Sequence, residues 1–441
     1  MAQRKTLFQL TWPTYIEFSF LMFMMVADTL MLSQYSDASV AAVGNANRIL
    51  FLLTVLINII AIGVGVVVSQ YIGAKREKDS FKALQSGIMG AFFLALIIAG
   101  FLQLFGPALL RLVNTPDAIF DDALMYLRVV GIGLLFVALS QTTGSGFRSL
   151  GFPKRVMLAG ATANLLNIGL NAILIFGLLG APALGVLGAA IATLSARIFN
   201  AFILLGSLIY EKILDVTISL KRLYKYLREV LIIGFPSALE QFIYQVSEFG
   251  ILIMVNTLGT LAVTTQIYVF NLSLPVLVFA IALAQGNQVI VGWHIGATED
   301  EDAFKRTTKT MLIGVITVFV ITLVVYFNAA SILRIFTDNP EIIETGQRVL
   351  LVFIFLEMGR LSNIVVIQAL RATGDVNYPV KAAVLSMGLI KLPLAYLLVF
   401  VFDLGLLGVF IGIAADEIVR GALVYIRWTR KPWLKQKRVI S

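Results

Sequence analysis

The chain has 441 residues, 59% of them hydrophobic and 13% charged, with a mean hydropathy of +0.92, a balance that excludes a soluble globular domain. It has no Cys and one His, which excludes disulfides, thiol chemistry and a His-rich metal centre. The net charge of +9 would suggest nucleic acid in a soluble protein, but its placement in short loops reports membrane topology instead.

About twelve apolar runs of roughly 20 residues follow one another, each long enough as a helix to cross about 30 Å of hydrocarbon, and period-two alternation is scarce. The predicted fold is an all-α membrane protein of twelve spans. The first run carries Glu17 and Asp28, so it does not read as a cleavable leader. Within it, FLMFMMVADTLML (20–32) is lipid-like except for Asp28. A charge at bilayer depth costs about 2.5–3.5 kcal/mol even on lenient scales, so Asp28 is either a functional acid facing the bundle interior or a helix-end residue reaching interfacial water.

Along the chain the basic stretches are Arg4 with Lys5, KREKDSFK (75–82), Arg148 with Lys154 and Arg155, LKRLYKYLRE (220–229), Lys305 with Arg306 and Lys309, and the tail RKPWLKQKR (430–438). The intervening connections are bare or acidic, as at Asp37, DAIFDD (117–122) and Asp403. Every second loop and both termini are therefore predicted cytoplasmic. Leu220, Leu223 and Leu227 share a helical face, which predicts that the linker lies along the inner membrane surface.

The two halves repeat. WPTYIE (12–17) aligns with FPSALE (235–240), placing Pro13 on Pro236 at an offset of 236 − 13 = 223 residues. The same offset aligns YIGAKREKDSFK (71–82) with HIGATEDEDAFK (294–305), and FRSLGFP (147–153) with LRATGDVNYP (370–379), Gly151 on Gly374. With a small slip GVLGAAIA (185–192) also matches GLLGVFIG (405–412). Duplication predicts a bundle at 1–211, a basic cytoplasmic linker at 212–229 and a second bundle at 230–441, parallel repeats with a central cleft.

These stretches carry a resemblance. ADTLMLSQYSDASVAAVG (27–44), SQYIGAKREKD, GFRSLGFPK, NLLNIGLNAILIFG (164–177) and GVLGAAIAT (185–193), in that order, resemble the multidrug and toxic compound extrusion (MATE) antiporters over the whole chain. The resemblance implies a secondary transporter, not an enzyme, that exports small amphiphilic, often cationic, compounds by alternating access. It would be a plasma-membrane monomer, with the lipid bilayer and its substrates as partners, no nucleic acid, and no cofactor beyond a coupling ion, H⁺ or Na⁺. It implies a cation site at Asp28 with Asn167, Asn171, Thr193 and the backbone near Ala189. Many relatives carry Asp where Asn171 stands; an amide weakens the pull on a hard cation, which favours H⁺ over Na⁺.

In the second half ionisable residues recur inside the spans: Glu240, Glu248, Glu357, Arg360, Lys391, Asp416, Glu417 and Arg420. The resemblance implies a seventh-helix acid position that aligns here with Tyr244, one turn from both Glu240 and Glu248. A buried Lys391 needs a carboxylate partner or must lose its proton, with Glu240 or Glu248 as the candidate partners. Glu357 with Arg360 has ion-pair spacing, and Asp375 is either a functional carboxylate or a turn residue. Glu17 and Glu240, equivalent in the repeat, either shape the inner helix ends or gate the cleft. His294 beside Trp293 reads as an interfacial anchor. A lipid-linked precursor flippase of the same broader superfamily is the alternative; it would need cleft cations, for which Arg48, Arg197, Arg360, Lys391 and Arg420 are available. The chain contains no GxxxxGKS phosphate loop, so ATP is not its direct energy source.

Overall fold

The computed structural model describes residues 5–213 and 220–435. Arg4, residues 214–219 of the linker and the last basic residues of the tail lie outside the described residues. Where water is absent the backbone must hydrogen-bond to itself, and the apolar runs accordingly become helices. Helix α1 (Leu7–Tyr35) starts at a reciprocal cap, Thr6 accepting from Gln9 N–H and Gln9 accepting from Thr6 N–H. Then follow α2 (Asp37–Gly73), α3 (Glu77–Leu112), α4 (Asp117–Ile132), α5 (Leu134–Ser149), α6 (Pro153–Phe176) and α7 (Val186–Tyr210). Beyond the linker come α8 (Leu220–Thr257), α9 (Thr260–Gly296), α10 (Asp300–Phe327), the short α11 (Ala329–Leu333) and α12 (Pro340–Thr373). The segment Asn377–Val401 comprises α13 (Asn377–Ser386), a π-helical turn Met387–Lys391, α14 (Leu392–Tyr396) and a second π-turn Leu397–Val401; α15 (Gly405–Thr429) closes the series.

Ten of these segments are long and apolar enough to cross a bilayer, and α4 with α5, bent by 41° at Gly133, make an eleventh. The twelfth, α15, has 25 residues, about 37 Å of helix, but carries Asp416, Glu417 and Arg420 mid-length. Six spans thus lie on each side of the linker among the described residues.

The chain forms two compact units, Met1–Phe235 and Pro236–Ser441. In the first, α1 packs on α6, α6 on α7, and α2 on α3, α4 and α5. In the second, α12 is central, packed by α9, α10 and α15. The repeat is visible in the backbone. Lys75 (φ 58°) and Thr298 (φ 64°) close equivalent turns in the left-handed region, as do Gly151 (φ 86°) and Gly374 (φ 92°).

The linker differs from expectation. Instead of lying along the membrane surface, residues 223–235 continue into α8 and pack into the first unit. Tyr71 donates to Glu229 (2.8 Å) and Tyr226 to Asp79 (2.7 Å), while Leu227 sits against Gly90 of α3. Leu227 of its leucine face therefore meets protein. The crossing of α2 and α8 depends on two glycines: a Cβ on Gly63 would lie 2.1 Å from the Val230 carbonyl oxygen, and one on Gly234 would lie 1.9 Å from that of Ile59. Backbone cannot yield as a side-chain tip can.

Gly234→Ala or Gly63→Ala is therefore expected to force the helices apart at a cost of about 1–3 kcal/mol, measurable as a lowered thermal unfolding midpoint of the purified protein. An unchanged midpoint in both variants would contradict this close crossing.

Candidate functional site

In the first unit the site is built where α1, α6 and α7 meet. The start of α7 is pressed against the end of α6, with Leu184 N–H bonded to the Leu174 carbonyl (2.9 Å) and no space for a Cβ on Gly188, 2.4 Å from that same oxygen. This contact brings Thr193 alongside Asn167 and Asn171. Those two amides, one turn apart and both 1% exposed, face α1. Asn171 Nδ2 donates to Asp28 Oδ1 at 2.6 Å. With the Asn167 amide turned so that its NH₂ meets the carboxylate, it donates to the same Oδ1 at 2.9 Å, and its oxygen accepts from Thr193 N–H at 3.3 Å. Asp28, Asn167, Asn171 and Thr193 are thus brought together, and Ala189 lies buried one turn earlier on α7.

Two further residues complete the surroundings. Arg197 is a cation close enough to act on Asp28 through space, and Tyr126, buried on α4, lies near Thr193 and Asn47. Arg197 is held in place by the broken span: the bend at Gly133 frees the Val130 carbonyl, which accepts from Arg197 Nη1 at 3.0 Å. Tyr126 was not legible from sequence, because an aromatic residue in an outer segment reads equally as packing.

The donor set bears on the ion. Both amides turn N–H groups toward Asp28, and the Asn167 oxygen turns to a backbone N–H. A sodium ion needs oxygens facing it, whereas a proton needs only a free carboxylate oxygen. Both amide bonds fall on Oδ1, leaving Oδ2 without an amide donor.

In the second unit the sequence candidates separate. Lys391, 0% exposed, is placed by the π-turn that ends at it and donates to Glu248 Oε1 (2.5 Å) and Ser247 Oγ (3.0 Å). Of its two candidate partners Glu248 is the actual one. Glu240 instead bonds Arg371 at 2.8 Å. Tyr244 offers its ring to Lys391 (4.9 Å) and Arg420 (5.9 Å) as a cation–π face. Asp375 accepts from Arg427 Nε at 2.8 Å, tying the turn after α12 to the end of α15. Glu357 bonds Arg360 as its spacing predicts. His294 Nδ1 is engaged by Glu299 at 2.7 Å across the α9–α10 turn.

Glu240–Arg371 has a twin. Glu17 accepts from Arg148 Nη1 at 3.0 Å, and both residues lie at the repeat offset of 223 from Glu240 and Arg371. Each glutamate is thus held within its own unit. The duplication could have revealed the pairing, since the motif that holds Arg148 had already been aligned with the one that holds Arg371.

Comparison with known proteins was made on this basis. The MatE family model matches residues 13–173 and 236–397, two copies that start 223 residues apart. The chain is 38% identical to the uncharacterized transporter YisQ of Bacillus subtilis (strain 168), over 98% of this chain and 95% of that one. It is 26% identical to the probable multidrug resistance protein NorM of Thermotoga maritima, over 99% and 95%. A crystal structure of a mutant of the Vibrio cholerae MATE transporter VcmN superposes with a TM-score of 0.90 over 98% of each chain at 20% identity, a likeness of fold.

The buried Glu240–Arg371 pair gives a double-mutant test. Arg371→Met alone strands a carboxylate and is expected to destabilise by about 3–5 kcal/mol, while Glu240→Leu with Arg371→Met recovers most of that loss. Denaturant titration of the purified protein measures both. Additive losses would show that the two side chains do not interact.

Proposed function

This chain belongs to the MatE family of multidrug efflux transporters, and from that premise we propose that it is a proton-coupled secondary antiporter for small amphiphilic, often cationic, compounds. It is an integral multi-pass membrane protein and not an enzyme. The observation that carries the reading is the bond from Asn171 to Asp28, an acid in an apolar stretch of α1 whose direct donors are neutral amides.

Such an acid can change charge without dismantling an ion pair. Deprotonated, Asp28 holds Asn171 and Asn167 by charge-assisted hydrogen bonds, stronger than neutral ones. A proton taken from outside weakens those bonds and loosens the hold of α1 on α6; release of that proton inside restores it. Coupling the two states to alternating access of the duplicated bundles would move one substrate outward for each proton cycle. The N–H groups facing Asp28 support H⁺ over Na⁺ as the coupling ion. We place both termini in the cytoplasm and the chain in the plasma membrane as a monomer, needing no cofactor besides the ion.

Efflux is favoured over flipping of a lipid-linked precursor because four of the five candidate cations, all but the exposed Arg48, are already engaged. Arg360, Arg420 and Lys391 are bonded to carboxylates, and Arg197 to a carbonyl. Little free positive charge is left for a pyrophosphate.

The test is efflux of a fluorescent organic cation from proteoliposomes under an imposed proton or sodium gradient. Wild type is expected to respond to the proton gradient, and Asp28→Asn to fold normally but lose about tenfold or more of gradient-driven efflux. Efflux driven equally well in Asp28→Asn would remove Asp28 from the mechanism, and a response to sodium alone would overturn the proton reading.

A further inference from the structure

Asp28 meets neutral amides directly and a guanidinium at longer range. That guanidinium belongs to Arg197, four residues beyond Thr193 on α7. Residues so spaced share a helix face, with Cβ atoms about 5–6 Å apart. Thr193 N–H bonds the Asn167 oxygen, and Asn167 in turn bonds Asp28. One face of α7 therefore carries both the last link of the amide chain and the cation.

Arg197 is fixed in place by the broken span. Among the described residues it pairs with no carboxylate; its Nη1 donates to the Val130 carbonyl at 3.0 Å. Its stem lies over Gly133, where a Cβ would come within 3.0 Å of Arg197 Cδ and 3.1 Å of Nη1. The 41° bend at that glycine thus supplies both the acceptor for the guanidinium and the room for it.

The other charges on the surrounding helices are paired, exposed or near helix ends. Glu17 of α1 is bonded to Arg148 of α5. On α6 the charged residues are Lys154 and Arg155 in the first turn, and on α4 Asp117, Asp121 and Asp122 in the first two turns. Asp37 begins α2, while Arg48 of α2 and Arg128 of α4 are exposed. Tyr126 of α4 lies near both Asp28 and Arg197, but a phenol is uncharged where carboxylates titrate.

A guanidinium does not give up its proton in a protein. With Asp28 ionised, the charges of Asp28 and Arg197 cancel; with Asp28 protonated, one positive charge is left among apolar helices. In general, burial favours the neutral acid and a fixed cation nearby favours the carboxylate. A coupling acid must pass through both states in every cycle. Amides alone give the carboxylate hydrogen bonds; Arg197 adds opposite charge while its own hydrogen bond goes elsewhere.

We propose that Arg197 is a positioning residue for the coupling proton: held on the Val130 carbonyl at the break between α4 and α5, it is the fixed counter-charge that lets Asp28 ionise again after each proton is taken up. This role rests on the reading of Asp28 as the coupling acid.

Infrared difference spectroscopy of the full chain in lipid, titrated with pH, reads Asp28 as the protonated-carboxyl band that Asp28→Asn lacks. Arg197→Gln keeps a donor for the Val130 carbonyl but removes the charge, and is expected to raise the pH midpoint of that band by about one unit or more. Arg197→Met is expected to do the same, whereas Arg197→Lys, which keeps the charge, is expected to stay close to wild type. An unmoved midpoint in Arg197→Gln, or equal shifts in Arg197→Gln and Arg197→Lys, would overturn the counter-charge role. If no Asp28 band titrates at all, the proton reading falls and this role with it. Midpoints that shift as expected in a chain without proton-driven efflux would sink the antiport reading alone.

Discussion

A charge buried in hydrocarbon must find opposite charge or hydrogen-bond donors inside the protein. That requirement decides which helices are tied together here. Asp28 fastens α1 to α6 through Asn171, Lys391 fastens its π-turn to α8 through Glu248, and Arg360 and Asn363 of α12 fasten that helix to Glu417 of α15. Between apolar helices in lipid there is little hydrophobic drive to associate, so close packing and these polar links supply the specificity.

Duplication preserved one such link and let others diverge. The glutamate after the first proline of each half, Glu17 or Glu240, is held by an arginine before the glycine turn, Arg148 or Arg371. These pairs fix the first helix of each unit to its fourth span. Elsewhere the units differ in kind. The first offers one acid held by amides and influenced from a distance by Arg197; the second offers a network in which acids and bases alternate. An acid held by amides can change its charge without breaking a direct ion pair. An acid inside an ion-pair network can do so only where the network carries a surplus.

Much of the architecture was legible in the sequence. Run length and hydropathy determined that the chain crosses the bilayer about twelve times, since a helix must be long enough to span and apolar enough to stay. The offset between Pro13 and Pro236 determined that the halves are copies, and the α12 pair Glu357–Arg360 followed from helical spacing alone. The Asp28 set was reached through a charge in an apolar run together with a motif resemblance, because a carboxylate there is costly enough to stand out. What only the tertiary structure decided were contacts between residues far apart in the chain: Arg371 on Glu240, Arg427 on Asp375, Glu248 rather than Glu240 on Lys391, and the docking of residues 223–235 into the first unit. Sequence periodicity reports which face of a helix a residue occupies, but not which neighbour that face meets. That choice is made by backbone approach at glycines such as Gly63, Gly234 and Gly359, where the absence of a Cβ lets two particular helices touch.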